Sequence, residues 1–560
     1  MRWSTRLAVV PMLLLGLASF THAAVVTWVG DAADPGGVTA QKPWVSAFWS
    51  TGAPPAGGTG PGSFTGDDAR VNNGGHVLID DTQNIGLPAP NPGAYSGTGF
   101  MVMGSGTAAG TNNGYIDMTG GTMVTAFDVR IGGDAAGTVG NGTFNQSGGI
   151  LNMNGGNLNV GFGVNANGLH SVGVMNLSGG SFTLRSGIII AVGNRGNGTV
   201  NQSGGDMYLM ALNNANVNNS VLQLGRVSAT ATKSSSGTYN LNGGRVVAAN
   251  TQFGNGSPIT GSPLPNDATP TSAPTDGPSI NTFSLSGTGL LITDNINIYN
   301  HFSDGDPNPL TSKSTVNTFN MTGGTLTAKT IGIPLTNDGG TLAPATVDFT
   351  PGGIPENIDD FLAARFQPVG STTFSGTNSY TQTANGTLAI DLVSQNSYDQ
   401  LVVNSGTATL DGTLALTVHN GFVGNTGDNY QVVVGGTLGT FATVTGNDLG
   451  GGLKLNKTTD ITGIYLLVAL PGDADLNKTA DFIDLGMLLN NYDNAGGWSS
   501  GDFDDSQVVD FIDLGILLNN FNQSVPMLTT AAPVPEPSTL VLAAVGLCGV
   551  GLARRRRLRA

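Results

Sequence analysis

Phe144-Asn145-Gln146-Ser147-Gly148-Gly149, Met175-Asn176-Leu177-Ser178-Gly179-Gly180 and Val200-Asn201-Gln202-Ser203-Gly204-Gly205 are one phrase written three times. Looser copies run from Tyr115 to Gly121, from Tyr239 to Gly244 and from Phe319 to Gly324, and a shortened one from Phe283 to Gly287. The early Gly-Gly pairs are separated by 28, 31 and 25 residues, and later gaps widen. Between the pairs apolar residues alternate, as in Leu151 and Met153 or Leu158 and Val160. That is the period of a short strand with one buried face. Three such strands and their Gly turns fill one repeat. The spacing therefore predicts a mainly β fold, a right-handed parallel β-helix or solenoid over residues 24–370. Glycine serves the corners, where a positive φ is needed, and the Asn fixed in each copy can stack on its neighbours. A β-propeller would want about four strands and 40 residues per unit.

Outward from the repeat, Trp28, Trp44 and Trp49 are expected to cap the first coil, whose open edge would otherwise recruit other strands. The Pro-, Ser- and Thr-rich stretch 257–279 reads as an insertion between coils, and Pro355 to Phe366 as a short helix. Alternation returns at Tyr380, at Asn385 to Asp391 and at Leu410 to Leu416, which predicts terminal β coils and a cap over 371–470. The repeats resemble the passenger-type β-helix repeats of autotransporters.

From Pro471 the style changes. Asp473, Asp475, Asn477, Asp481 and Asp484 stand at positions 1, 3, 5, 9 and 12 of a loop, with the Thr479 carbonyl available at position 7. Twenty-nine residues on, Asp502, Asp504, Ser506, Asp510 and Asp513 repeat the pattern, with Val508 at position 7. Calcium takes six to eight oxygens, which this alternation supplies from one loop. Each loop runs into a helix with one apolar face, Phe482 to Tyr492 and Phe511 to Phe521. Residues 471–524 resemble a type I dockerin domain. The resemblance implies two Ca2+ sites and a cohesin-like protein as partner. The sharp-turn Gly of such loops is replaced by Lys478 and Gln507.

Both ends carry sorting chemistry. A basic start (Arg2, Arg6), an apolar run from Leu7 to Phe20 and the small Ala23 and Ala24 lay out a cleavable secretory signal over residues 1–23. After a linker at 525–534, Pro535-Glu536-Pro537 precedes an apolar run from Leu540 to Ala553 and the cluster Arg554, Arg555, Arg556 and Arg557. The cluster would hold that end on the cytoplasmic side. A run this short makes a marginal transmembrane helix, suited to a temporary anchor. Residues 535–560 resemble the PEP-CTERM sorting signal. The resemblance implies an exosortase-like membrane processing enzyme that recognises Pro-Glu-Pro and removes the tail. The expected location is the cell envelope or the extracellular space.

Seven of the 21 Lys and Arg and one of the 37 Asp and Glu (Glu536) lie in these terminal segments, leaving 14 against 36, a net charge of −22. Such a surface repels nucleic acid and points to cations and neutral partners. The single Cys548 lies in the tail, so no disulfide scaffold is expected. No catalytic residue is assigned. Asp117, Asp128 with Arg130, Asp134, Arg185, Arg195, Asp206, Arg226 and Arg245 are read as standing singly in different coils, and the histidines have no metal-ligand spacing. The first reading is a structural or adhesion-type surface protein attached through the calcium loops. The alternative is a lyase or hydrolase acting on an extracellular polysaccharide. Three or more Asp, Arg or Lys side chains meeting in one groove would favour the alternative.

Overall fold

The computed structural model describes residues 25–27, 42–43, 68–71, 75–81, 84–85, 100–104 and 113–525, the last span with breaks at 135–138, 165–168, 186–188, 210–220, 227–232, 255–274, 299–314, 351–356, 420 and 423. The secretory signal, Trp28, Trp44, Trp49, most of the 257–279 insertion, the linker and the sorting tail lie outside these residues. The chain divides into two compact units. One comprises residues up to 424 with 429–447 and 457–466; the other comprises 425–428, 448–456 and the chain from Leu467.

The first unit is built on a large, mainly parallel β-sheet. Its pattern is set by strands β1 (Asn113–Met118), β2 (Thr122–Thr125) and β3 (Val129–Ile131). They recur as β4 (Asn141–Gln146), β5 (Ile150–Met153) and β6 (Leu158–Phe162), then as β7 (Val172–Leu177), β8 (Ser181–Leu184) and β9 (Ile189–Asn194). β4 pairs in parallel with β1 and β7, β5 with β2 and β8, and β6 with β3 and β9. Each repeat thus adds one strand to each of three ladders. Antiparallel propeller blades do not pair this way.

Register follows the phrase. Ile116, Phe144, Met175, Val200, Tyr239, Phe283 and Phe319 stand opposite one another in successive strands and are buried. The rings of Tyr239, Phe283 and Phe319 stack at centroid distances of 5.1 and 5.0 Å. One residue on, the side chain faces outward, and the Asn ladder forms there. Asn145 Nδ2 donates to Asp117 Oδ1 at 2.6 Å, Asn176 to Asn145 at 2.7 Å, Asn201 to Asn176 at 2.9 Å and Asn240 to Asn201 at 2.9 Å. An amide both donates and accepts, so it can pass the chain of bonds along; Asp117, an acceptor only, begins it.

The Gly-Gly turns are locked from inside. Buried Gln146 donates to the carbonyls of Gly149 and Ser181, and Gln202 to those of Gly205 and Arg245. The second glycine of each pair takes a left-handed conformation, with φ +73° at Gly149. A Cβ there would lie 2.4 Å from the Gly120 carbonyl oxygen of the neighbouring repeat. The left-handed conformation costs a non-Gly residue about 1–2 kcal/mol, and the clash adds about 1–3 kcal/mol. Gly149→Ala should therefore destabilise the sheet unit by about 2–5 kcal/mol, visible as an earlier denaturant midpoint; an unchanged midpoint would refute this account of the turn.

Helix α1 (Ile358–Arg365) falls within the stretch expected to be helical. Asn357 caps it by accepting from the Asp360 N–H at 2.8 Å. Its Ile358 and Phe361 pack on Tyr208, Val247, Ala249 and Ile292. Those side chains point away from the sheet's inner face, so the period-2 burial lapses where the helix covers them. Ser279, expected to end an insertion, instead opens the strand Ser279–Leu285, because its register with Thr315 continues the ladder.

Candidate metal centre

In the second unit, helix α2 (Phe482–Asn491) follows the first Asp loop and α3 (Phe511–Asn519) the second. The carboxylate geometry of the first recurs 29 residues later. Asp473, Asp475 and Asp484 bring carboxylate oxygens within 4.8 Å of one another, as do Asp502, Asp504 and Asp513. Asp484 Oδ1 accepts from the N–H groups of Ala474 and Asp475 at 2.8 and 3.3 Å, and its Oδ2 from Asp481 N–H at 2.8 Å. Asp513 makes the same three bonds with Phe503, Asp504 and Asp510 at 2.7, 3.2 and 2.8 Å. Asp473 accepts from the backbone of Asn477 and Lys478, and Asp502 from that of Ser506 and Gln507.

Backbone conformation repeats with the same period. Leu476 and Lys478 have φ of 59° and 76°; Asp505 and Gln507 have 61° and 71°. Position 6 thus keeps the left-handed turn without glycine, at a cost of about 1–2 kcal/mol per residue. The loops also clasp opposite ends of the repeat. Thr479 bridges to Ser524 and Val508 to Ala495, again 29 residues apart. Leu488 and Leu517 sit in a shared apolar core with Trp498 and Phe503, and the Trp498 indole N–H donates to the Asp473 carbonyl at 2.8 Å.

Not every expected ligand joins the carboxylate triplets. Asp481 and Asp510 serve as N-caps, accepting from Ile483 and Ile512 N–H at 2.7 Å each. Asn477 Oδ1 accepts from Thr479 N–H at 2.9 Å, and the Ser506 hydroxyl donates to the Val508 carbonyl at 2.9 Å. Ser506 thereby lies beside the position-7 carbonyl of Val508, whereas Asn477 is tied to the Thr479 N–H.

The donor set fits a hard divalent cation. All the donors are oxygens, and Asp473, Asp484, Asp502 and Asp513 are buried. Among the described residues none of the six carboxylates is paired with Lys or Arg. Buried like charges without a counter-ion are costly, and burial, with the charges of Asp484 and Asp475, pushes Asp473 up to about 6. Burial and the charges of Asp513 and Asp505 do the same to Asp502.

The comparisons with known proteins bear on the other end of the chain. Residues 533–557 match the family profile of the PEP-CTERM protein-sorting motif. The motif marks an exported protein that is sorted by an exosortase-type membrane enzyme to the cell envelope or beyond it. The match contains Pro535, Glu536, Pro537 and the cluster Arg554 to Arg557. Among the curated proteins no match is found. No helix of the described residues is long and apolar enough to cross a membrane, and the Leu540 to Ala553 run lies outside them.

The charged residues of the sheet unit need a correction. They do not stand singly. Arg130 pairs with Asp128 and Asp134 at 3.0 Å each, Arg70 with Asp134 at 2.8 Å, His76 with Asp117 at 2.7 Å, and Arg245 with Asp206 through two bonds of 2.7 Å. The Arg130 pairs are local, two and four residues apart, whereas His76 with Asp117 and Arg245 with Asp206 meet because parallel register sets neighbouring repeats side by side, which spacing along the chain conceals. A different trio, Asp294, Lys329 and Asp348, lines one cavity, the convergence expected of the polysaccharide-active alternative, although Asp348 is already engaged by Thr350 and Arg365. No sequence signal picked it out.

Proposed function

We propose that this exported protein is a surface or matrix component with a β-helical stalk and a dockerin-like module that is attached in a calcium-dependent manner. On this reading the three parallel ladders wind as a right-handed β-helix over 24–370 and close in coils and a cap over 371–470. Residues 471–524 take two Ca2+ ions. Asp473, Asp475, Asp484 and the Thr479 carbonyl would hold the first, with Asn477 beside them; Asp502, Asp504, Asp513 and the Val508 carbonyl would hold the second, with Ser506 beside them. The ions would neutralise the gathered carboxylates and fix the direction in which each helix leaves its loop.

The observation that carries the reading is the 29-residue repetition itself, because it extends to the surface. Phe482, Ile483 and Leu489 on α2 are 74, 58 and 55% exposed; Phe511, Ile512 and Leu518 on α3 are 73, 58 and 55% exposed. Large exposed apolar groups set in matched positions mark a docking face, and a cohesin-like protein is the proposed partner. Cells washed in calcium should retain the protein at their surface, and EGTA should release it. A Phe482→Asp, Phe511→Asp double variant should appear in the medium even with calcium. Retention indifferent to both treatments would sink the docking reading.

A further inference from the structure

Beside α1, the outward row of the sheet carries a cavity of about 400 Å³, within the range of small-ligand sites. Its polar wall begins with Asp294 and Lys329, which stand opposite each other because Thr293 pairs with Ala328 and Asn295 with Thr330. The facing wall is the segment through Thr346 and Asp348, and Ser371 completes the rim.

The two carboxylates are treated differently. Asp348 is held: Oδ1 accepts from the Thr350 N–H at 2.8 Å and from its hydroxyl at 2.5 Å, and Oδ2 accepts from Arg365 of α1 at 2.5 Å. Those bonds keep it below the usual carboxylate range. Asp294 is half-buried and accepts no hydrogen bond among the described residues; burial pushes it up to about 6, with Lys329 as its nearby positive charge. Its carboxylate lines the cavity and is open to accept from a ligand.

The mixture of charges selects the ligand. Lys329 opposes a cation, and the two carboxylates oppose an anion. Hydroxyls at Thr346 and Ser371, the Asp294 acceptor and the apolar Val347 and Phe349 suit a neutral molecule with many hydroxyls and a C–H face. We infer that this cavity binds one sugar unit of a neutral polysaccharide, with Asp294 accepting from its hydroxyls and Lys329 donating to them. The inference stands apart from the calcium loops and does not depend on them.

Affinity electrophoresis of the exported chain, at constant calcium, in gels containing galactomannan, mixed-linkage β-glucan, dextran or polygalacturonate tests it. At least one neutral polymer should retard the protein. Asp294→Asn, which keeps the size but loses a charge and an acceptor, should weaken that retardation at least tenfold, as should Thr346→Trp, which fills the cavity. Far-ultraviolet circular dichroism should be unchanged; if Thr346→Trp does not fold, Asp294→Asn alone decides. No retardation by any neutral polymer, retardation by polygalacturonate only, or full retardation of the Asp294→Asn variant would overturn the proposal.

Discussion

Treating the exported chain with EGTA should lower the unfolding temperature of the unit that contains residues 467–525 by on the order of 20 °C. A ligand at a hundredfold its Kd stabilises the state that binds it by about 2.7 kcal/mol per site, and two sites double that. In a domain of this size about 1 kcal/mol moves the midpoint by about 4–8 °C. The structure says why the dependence should be steep. Four buried carboxylates face one another across two loops with no Lys or Arg partner among the described residues, and two residues per loop are held left-handed. pH gives the same test a sign. Without the cation, folded Asp473 and Asp502 hold their protons up to about pH 6, whereas an unfolded Asp releases its proton near 4. The folded state then binds more protons in that window, so the stability of the metal-free chain should fall as pH rises from 4 to 6. With calcium the slope should reverse, because calcium requires ionised ligands. Melting curves that coincide with and without EGTA at every pH would count against both halves of the prediction.

Replacing Pro535, Glu536 and Pro537 together by Ala should have an all-or-none effect on processing. The motif at 533–557 is where the sorting enzyme acts, and the substitutions leave the Leu540 to Ala553 run and Arg554 to Arg557 in place. The variant should therefore keep its tail and stay with the membrane fraction, while the parent chain is recovered without residues beyond the motif. Intact mass of the two proteins reads the difference directly. A variant that is trimmed and delivered like its parent would show that the Pro-Glu-Pro residues are not what is recognised.

Much of the sheet was legible because its determinants are local. A Gly that must turn left-handed, an outward Asn and an inward aromatic recur at fixed offsets, and each states its own role. The 29-residue loop repeat was legible for the same reason. What escaped reading depends on which repeat lies beside which. Arg245 and Asp206 are 39 residues apart and look unrelated until register pairs them. Tyr208, Val247 and Ile292 break the alternation only because α1 covers them, and nothing near those residues announces the helix. Asp294, Lys329 and Asp348 meet through the same register and a turn of chain. Within the loops, Asp481 and Asp510 could not be assigned from spacing, since a carboxylate before a helix serves equally as a cap or a ligand; in the structure they cap.

The calcium-loop account rests on two equivalent sites, and isothermal titration of the exported chain with CaCl2 counts them. The expected result is two ions per chain, falling to one in the Asp484→Ala variant and to one in Asp513→Ala, with both variants still folded in calcium. A stoichiometry of zero for the parent chain, or of two in either variant, would contradict it.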